Sequence, residues 1–401
     1  MRICMFSRIT PDHRVYAPPV HGMIGKVFRD LGHDVTILTT ALPDGWTGVR
    51  ELDYAQVHYL PGTTAGKLGP DFWRVSAQTF DAMHAERPFD LVFGRGEATW
   101  GFHQMSSAAG KPPVIAHEGT YPLWLHQLQR RFPKQADMMT APIALMRLPF
   151  KRVYRACLQK AHVTVCNSAA LAVALPRSYW WSPPNTTFIP YGMDLTPWDA
   201  SPAHPAASQA PLPPKVIFVG RLTSDKGVYD MVEVMSRLRH PTACLEMIGP
   251  IDKKVAHRLQ ALISERGLTE RILVSGPERN ENLPQRLRGA AAYIFPSTHP
   301  EGLSKSVMEA MAASLPVLAY RIPGMDALVV DNKTGWLVPP GDVGTMAVKL
   351  DKLLSSPDLA MRMGKTGRLR LQEDFTTQAA TKRWSDLLTE LVRPQPFRSH
   401  N

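Results

Sequence analysis

The sequence predicts an α/β protein with two doubly wound parallel sheets, each in its own domain. Short apolar runs typical of buried strands alternate with helical patterns in both halves of the chain. Residues 196–214 are rich in Pro, Ala and Ser, which is typical of a linker. We therefore expect one domain over 1–195 and a second over 215–375.

Composition and cysteine content limit the class of protein. The 401 residues are 44% hydrophobic, enough to bury a large core. The chain has no apolar run near the ~18 residues that span a bilayer, and its first residues, MRICMF, resemble a strand more than a signal peptide. The four cysteines lack Cys-x-x-Cys and metal-ligand spacings, which indicates reduced core residues. We expect a cytoplasmic protein.

The net charge of +11 permits nucleic acid, an anionic membrane surface or a phosphorylated substrate as partner. Basic side chains concentrate in 121–160, among Trp, Tyr, Phe, Leu and Met. Such a segment can lie on an anionic membrane, and the alternative is an ordinary pair of helices with a charged outer face. We favour peripheral association with the inner face of the cytoplasmic membrane. Nucleic acid is not expected, because the aromatic residues are not interleaved with basic ones on strands.

The first domain opens with a strand, a helix and a second strand, which indicates a parallel sheet. A later strand, PVIA, is followed by His117 and Glu118. The carboxyl ends of parallel strands are where such sheets bind ligands, so His117 is a candidate functional residue. A structural role is the ordinary alternative for a lone histidine.

The second domain opens with KVIFVGRLTSDKGV, a strand followed by a glycine turn and a helix. Arg221 and Lys226 flank the turn. Two fixed cations at a strand-to-helix junction suit a diphosphate, because arginine gives forked hydrogen bonds and lysine a point charge. The alternative is a charged surface turn.

Two glutamates mark the segment 299–342. Glu301 precedes a helix, beside Gly302, and Glu309 lies on that helix, opposite its apolar face. Ser304 or Ser306 can cap the helix. A glycine and a helix N-terminus admit an anionic oxygen, while two carboxylates accept hydrogen bonds from hydroxyl groups. A phosphate between two sugars fits this pattern, and two solvated surface glutamates are the alternative.

This segment resembles the C-terminal signature of the retaining glycosyltransferases of family 4, the "glycosyl transferases group 1" family. The resemblance rests on the Glu-x7-Glu pair, EAMA, a Pro-Val strand, a glycine turn and TGWLVPPGD. The upstream run FIPYGMD resembles the family's IPNGVD, and G-R-x5-K-G matches its diphosphate motif. Ser314 and Pro323 stand where the family usually has glycine.

The resemblance implies the GT-B fold, in which two Rossmann-like domains face each other across a cleft and the last helix, about 376–394, packs back on the first domain. It also implies retaining transfer of a hexosyl group from a nucleoside-diphosphate sugar to a hydroxyl, without a metal or another cofactor. The acceptor is expected to be a saccharide that is lipid-linked or part of an envelope polysaccharide. Alternatives are a nucleotide-sugar epimerase of the same fold and a silent sugar-nucleotide-binding subunit.

The resemblance also assigns residues to roles. Arg221 and Lys226 would hold the diphosphate, Glu309 the ribose and Glu301 the donor sugar, which His117 would contact near the reaction centre. Arg14 replaces the family's usual Gly-Gly pair and would meet a phosphate or the acceptor, with a plain surface arginine as the alternative. The expected catalytic residues are His117, Arg221, Lys226 and Glu301, and the expected donor-binding residues are Arg221, Lys226, Gly249, Gly276, Gly302, Leu303, Ser304 and Glu309.

Overall fold

The computed structural model divides the chain into two compact units. Unit 1 comprises Met1–Gly192 and Thr377–Asn401, and unit 2 comprises Met193–Thr376. The residues described are 1–7, 20–119, 152–178, 185–199 and 213–392, with a few isolated positions between 120 and 151.

Unit 1 is built on an eight-stranded sheet of order β3-β4-β2-β1-β5-β6-β7-β8. All neighbouring strands are parallel except β3, which pairs antiparallel with β4. The strands are β1 (Arg2–Phe6), β2 (Asp34–Thr40), β3 (Gly48–Leu52), β4 (Ala55–Leu60), β5 (Leu91–Arg95), β6 (Val114–Glu118), β7 (Val163–Cys166) and β8 (Thr186–Phe188). The helices are α1 (Val20–Asp30), α2 (Pro70–Glu86), α3 (Trp100–Met105), α4 (Arg152–Lys160) and α5 (Ala169–Ser178).

Unit 2 carries a six-stranded, wholly parallel sheet of order β11-β10-β9-β12-β13-β14. The strands are β9 (Lys215–Val219), β10 (Cys244–Ile248), β11 (Ile272–Gly276), β12 (Ala292–Phe295), β13 (Val317–Tyr320) and β14 (Gly335–Val338). The helices are α6 (Thr196–Asp199), α7 (Val228–Ser236), α8 (Lys253–Glu265), α9 (Leu283–Leu287), α10 (Lys305–Ala312), α11 (Met325–Leu328), α12 (Val343–Leu354) and α13 (Pro357–Asp374). The chain then returns to unit 1 as α14 (Thr377–Val392).

The strand order of unit 2 defines where a ligand is expected. The first three strands run outward from β9 on one side, and the next three run outward from β12 on the other. The order therefore reverses between β9 and β12, and doubly wound sheets bind ligands outside the carboxyl ends of the strands at this reversal. The fold class expected from the sequence, an α/β protein with two parallel sheets, is confirmed.

The helix α14 contributes to the core of unit 1. Trp384 is buried, with its ring edge-on to Phe28 at a centroid distance of 5.3 Å and 6.0 Å from the ring of Phe93. Leu388, one turn further along, is buried in the same cluster. The returning helix therefore covers hydrophobic side chains of both α1 and β5.

The linker differs from the sequence expectation at its start. Thr196–Asp199, which we placed in the linker, form α6, and Trp198 on this helix is buried. The Arg368 guanidinium group on α13 donates a hydrogen bond to the Asp199 carboxylate and forms an ion pair with it. The proline-rich composition of this segment did not predict a helix. In an element of four residues, burial rests on one side chain, here Trp198, which composition does not reveal.

The four cysteines are free thiols, and Cys4, Cys157 and Cys166 are buried. None of the described helices combines the length and the apolar character needed to cross a membrane.

Candidate functional site

The turn after β9 is tightly constrained by its glycines. A 3₁₀ turn at Ser224–Lys226 leads to Gly227, whose φ of +75° is the left-handed conformation that favours glycine, and α7 begins at Val228. A Cβ at position 227 would lie 2.1 Å from the carbonyl oxygen of Pro296, in the loop after β12. The turn therefore packs backbone against backbone on the neighbouring strand's loop, which fixes Lys226 close to that loop.

The loop after β12 is held from its other side. The Glu301 backbone N–H donates to the Pro323 carbonyl at 3.1 Å. Gly324 has a φ of +88°, and a Cβ there would lie 2.0 Å from the Glu301 carbonyl oxygen. The glycine that the family signature places at 324 thus allows the loop bearing Glu301 to pack against the turn after β13.

Lys226 and Glu301 meet at the point where the strand order reverses. The Lys226 ammonium group donates to Glu301 Oε1, and the two side chains are only 12% and 16% exposed. Lys226 Nζ also lies 5.5 Å from the centroid of the Phe295 ring, at the end of β12. A cation and a carboxylate from loops 75 residues apart are thereby joined at the carboxyl edge of the sheet.

Glu309 is buried within α10. It is 5% exposed, and Lys305 Nζ lies 3.4 Å from its Oε1. Burial raises the pKa of Glu309, and the neighbouring Lys305 opposes this rise. Residues 307–312 of the helix are all buried, so a position opposite the apolar stripe is not solvent-facing here. Neither Glu301 nor Glu309 is therefore a solvated surface carboxylate.

The N-terminus of α10 lacks a side-chain cap. Ser304 occupies the N-cap position, but its hydroxyl makes no capping hydrogen bond and lies 3.4 Å from Ser306 Oγ. The sequence therefore predicted the N-cap residue correctly, but the expected capping hydrogen bond from its side chain is not formed. Gly302 and Leu303, just before the helix, are buried. Backbone N–H groups at an uncapped helix start are suited to an anionic oxygen.

The carboxyl ends of β10 and β11 complete this edge of the sheet. Gly249 donates its N–H to the Gly276 carbonyl at 2.7 Å, and a Cβ on Gly249 would lie 1.8 Å from the Gly220 carbonyl oxygen. Gly276 has a φ of +72°, and nothing would lie within 4 Å of a Cβ added there. Arg221, in the turn after β9, is exposed. The structure thus places Arg221, Lys226, Gly249, Gly276, Gly302, Leu303, Ser304, Glu301 and Glu309 at one sheet edge or on the helix that starts there.

Asp225 and His299 also belong to this arrangement, and the sequence analysis missed them. The Thr298 N–H donates to the Asp225 carbonyl at 2.8 Å, and His299 Nδ1 lies 3.7 Å from Asp225 Oδ2. These contacts connect the loops that carry Lys226 and Glu301. The sequence signal for them was their position, since Asp225 precedes Lys226 and His299 lies two residues before Glu301. Such proximity does not distinguish a site residue from an ordinary surface charge.

The remaining sequence candidates lie in unit 1 or outside the described residues. His117 is the penultimate residue of β6, in register with Arg95 of β5. It is fully buried, with ring centroids 5.7 Å from Phe93 and 6.1 Å from Tyr191. Arg14 and nearly all of 121–151 fall outside the described residues. A phosphate contact of Arg14 and a membrane contact of 121–160 stay predictions.

Within the described ranges, no three His, Cys, Asp or Glu side chains are grouped so that they could hold a metal ion.

The fold is the GT-B fold of its structural neighbours. The structure is similar to sucrose-phosphate synthase from Thermosynechococcus elongatus, with a TM-score of 0.74 and 22% identity. The match covers 97% of this chain and 98% of the synthase chain. It is also similar to Anabaena HepE in complex with UDP and glucose, with a TM-score of 0.67 and 15% identity over 97% of this chain and 100% of that one.

The sequence comparisons include a family model that matches within the second unit. Residues 203–370 match the model of the family "Glycosyl transferases group 1". An amylovoran biosynthesis glycosyltransferase, AmsK of Erwinia amylovora, is 27% identical over 187 residues, which are 45% of this chain and 46% of AmsK. The chain spans about half the length of the curated relatives it matches.

Proposed function

We propose that this protein is a glycosyltransferase that moves a hexosyl group from a nucleoside-diphosphate sugar to an acceptor hydroxyl, with retention of anomeric configuration. The contact between Lys226 and Glu301 at the strand-order reversal of unit 2 carries the proposal. It joins a cation suited to a diphosphate with a carboxylate suited to sugar hydroxyls, at the place where such sheets bind ligands. The match of residues 203–370 to the family model, and the UDP and glucose named for the HepE structure, support a nucleotide-sugar donor.

Departure of the diphosphate develops negative charge, which requires fixed positive partners. Lys226, the exposed Arg221 and the uncapped N–H groups of α10 supply such partners. Because Lys226 and the N–H groups of α10 are held by the fold, they need little reorganisation during the reaction. The proposed reaction uses these groups and no metal or cofactor.

The two glutamates would bind hydroxyl groups. Glu301 can hold Lys226 and a sugar hydroxyl together, since a carboxylate has about four acceptor positions. Glu309 would accept from the ribose, and the loops after Gly249 and Gly276 would receive the base. His117 would contact the donor sugar, as the family resemblance implies.

The acceptor is proposed to be a saccharide, either lipid-linked or part of an envelope polysaccharide. The name of AmsK, an amylovoran biosynthesis enzyme, agrees with a polysaccharide acceptor. The segment 121–160 would place a cytoplasmic enzyme at the inner membrane surface.

The test is a turnover assay with UDP-, GDP-, ADP- and dTDP-linked hexoses and a mixture of methyl hexosides as acceptors. We expect one donor to release its nucleoside diphosphate, and proton NMR to show a product with the donor's anomeric configuration. Lys226→Met should abolish turnover. The matched control is Lys215→Met, because Lys215 is 3.5 Å from Glu246 in the same unit but begins β9, at the opposite edge of the sheet.

Three results would count against the proposal. Isomerisation of a nucleotide sugar without acceptor would favour an epimerase, and an inverted product would exclude retention. Nucleotide binding without any turnover would favour a silent binding subunit.

A further inference from the structure

Three polar residues meet at the carboxyl edge of the unit 1 sheet. Asn167 directly follows β7, Gly119 directly follows β6, and Tyr191 lies three residues after β8. Asn167 Nδ2 donates to the Gly119 carbonyl at 3.2 Å and to the Tyr191 hydroxyl at 3.1 Å. Their convergence comes from the pairing of β6, β7 and β8, not from sequence spacing.

Two hydrogen-bonding positions in this cluster are unused. Asn167 is 2% exposed, yet its Oδ1 accepts no hydrogen bond within the part of the chain that the structure describes. The Tyr191 hydroxyl accepts from Asn167 and donates to none of the described atoms. Turning the amide over does not help, because Oδ1 would then face the Gly119 carbonyl, which is itself an acceptor. Buried polar atoms are nearly always paired, so an open buried oxygen calls for a partner.

The cluster borders partly exposed residues, while Asn167 Oδ1 itself is enclosed. Gly119 and Tyr191 are partly exposed, as is Arg95, whose Nη2 would lie 3.8 Å from a Cβ at position 119. The same Cβ would lie 2.6 Å from the Tyr191 hydroxyl, so only glycine admits this approach. Burial raises the pKa of Tyr191, more than the nearby Arg95 lowers it, so the hydroxyl keeps its proton at neutral pH.

We propose that Asn167 and Tyr191 form a subsite for a hexose hydroxyl, which donates to Asn167 Oδ1 and accepts from the Tyr191 hydroxyl. A ligand here must both donate and accept, which a hydroxyl group does and a phosphate or carboxylate does not. The inference rests on the proposed function, which supplies hexoses as the acceptor saccharide and as the donor's sugar. Tyr191 stands at the asparagine of the family pattern IPNGVD, so the phenolic donor is a feature of this chain.

The test measures binding of methyl α-D-glucopyranoside, galactopyranoside and mannopyranoside by saturation-transfer NMR. Tyr191→Phe removes the donating hydroxyl and keeps the ring. We expect about three- to tenfold weaker binding of the preferred hexoside, the usual loss for one neutral hydrogen bond. Gly119→Ala should weaken binding in the same direction by displacing the hydroxyl. Tyr320→Phe is the matched control, because this buried tyrosine donates to Asp230 at 2.7 Å and should leave binding unchanged.

A thermal-shift assay with UDP, GDP, ADP and dTDP separates the subsite from the proposed function. If a nucleoside diphosphate raises the melting temperatures of the wild type and Tyr191→Phe equally, the donor site is functional, independently of the hexoside-binding result. If Tyr191→Phe weakens binding of the nucleotide sugar and not of the hexosides, the bound hydroxyl belongs to the donor's hexose. Equal affinity of wild type and Tyr191→Phe for every hexoside and nucleotide sugar would overturn the subsite, as would absence of all sugar binding. The open positions would then hold water only.

Discussion

The carboxyl edges of the two sheets differ in the polar character of their side chains. In unit 2, charged groups meet in pairs: Lys226 with Glu301, and Lys305 with Glu309. In unit 1, an amide and a phenol meet, and an amide oxygen is left open. The strand ends thus carry charged pairs in unit 2 and neutral hydrogen-bonding groups in unit 1, and on our proposals the former suit an anion and the latter a hydroxyl.

The largest expected effect tests how closely the charged edge is packed. Gly227→Ala should destabilise the protein by about 2–5 kcal/mol, since a left-handed φ costs a non-glycine residue about 1–2 kcal/mol and the contact with the Pro296 carbonyl adds about 1–3 kcal/mol. Gly267→Ala is the control, because its φ of +65° is similar and nothing lies within 4 Å of the added Cβ. It should cost about 1–2 kcal/mol.

Thermal unfolding of both variants measures this difference. Equal losses in Gly227→Ala and Gly267→Ala would mean that the turn after β9 is not fixed against the loop after β12.

The next effect concerns the pair at the centre of the site. Lys226→Met should destabilise the ligand-free protein by about 1–3 kcal/mol, because the largely buried carboxylate of Glu301 is then left without its cationic partner. Adding Glu301→Gln should recover part of the loss, with a coupling energy of about 0.5–3 kcal/mol in a double-mutant cycle. Strict additivity of the two substitutions in denaturant unfolding would indicate that the pair is not formed in solution.

The smallest effect is a gain in stability from Glu309→Gln. Burial raises the folded-state pKa of Glu309 above the unfolded value of about 4.3, so ionisation of this carboxyl disfavours the folded state at neutral pH. Glutamine avoids that penalty, and its advantage should shrink as the pH falls through the folded pKa toward the unfolded one. The melting temperatures of both proteins over this pH range measure the effect, and a gain that grows toward acid pH would contradict it.

Sequence patterns predicted the two sheets, the turn after β9 and the pair of glutamates, because apolar alternation and glycine positions report local geometry. They missed the edge strands β3 and β8, which are short and poorly buried. They also placed Glu309 on an outer helix face, although α10 is buried on both sides. The contacts of Asn167 with Gly119 and Tyr191 depend on strand pairing over long sequence separations, which no local pattern encodes.

The most direct test of the donor site is calorimetric titration of the wild type, Lys226→Met and Glu301→Gln with a nucleoside diphosphate and with its nucleotide sugar. Lys226→Met should weaken both ligands about 30-fold or more, as expected for losing one charge of a desolvated pair. Glu301→Gln should weaken only the nucleotide sugar, since Glu301 binds hydroxyls and its removal leaves Lys226 free for the diphosphate. Unchanged affinity of Lys226→Met for the nucleoside diphosphate would contradict the account.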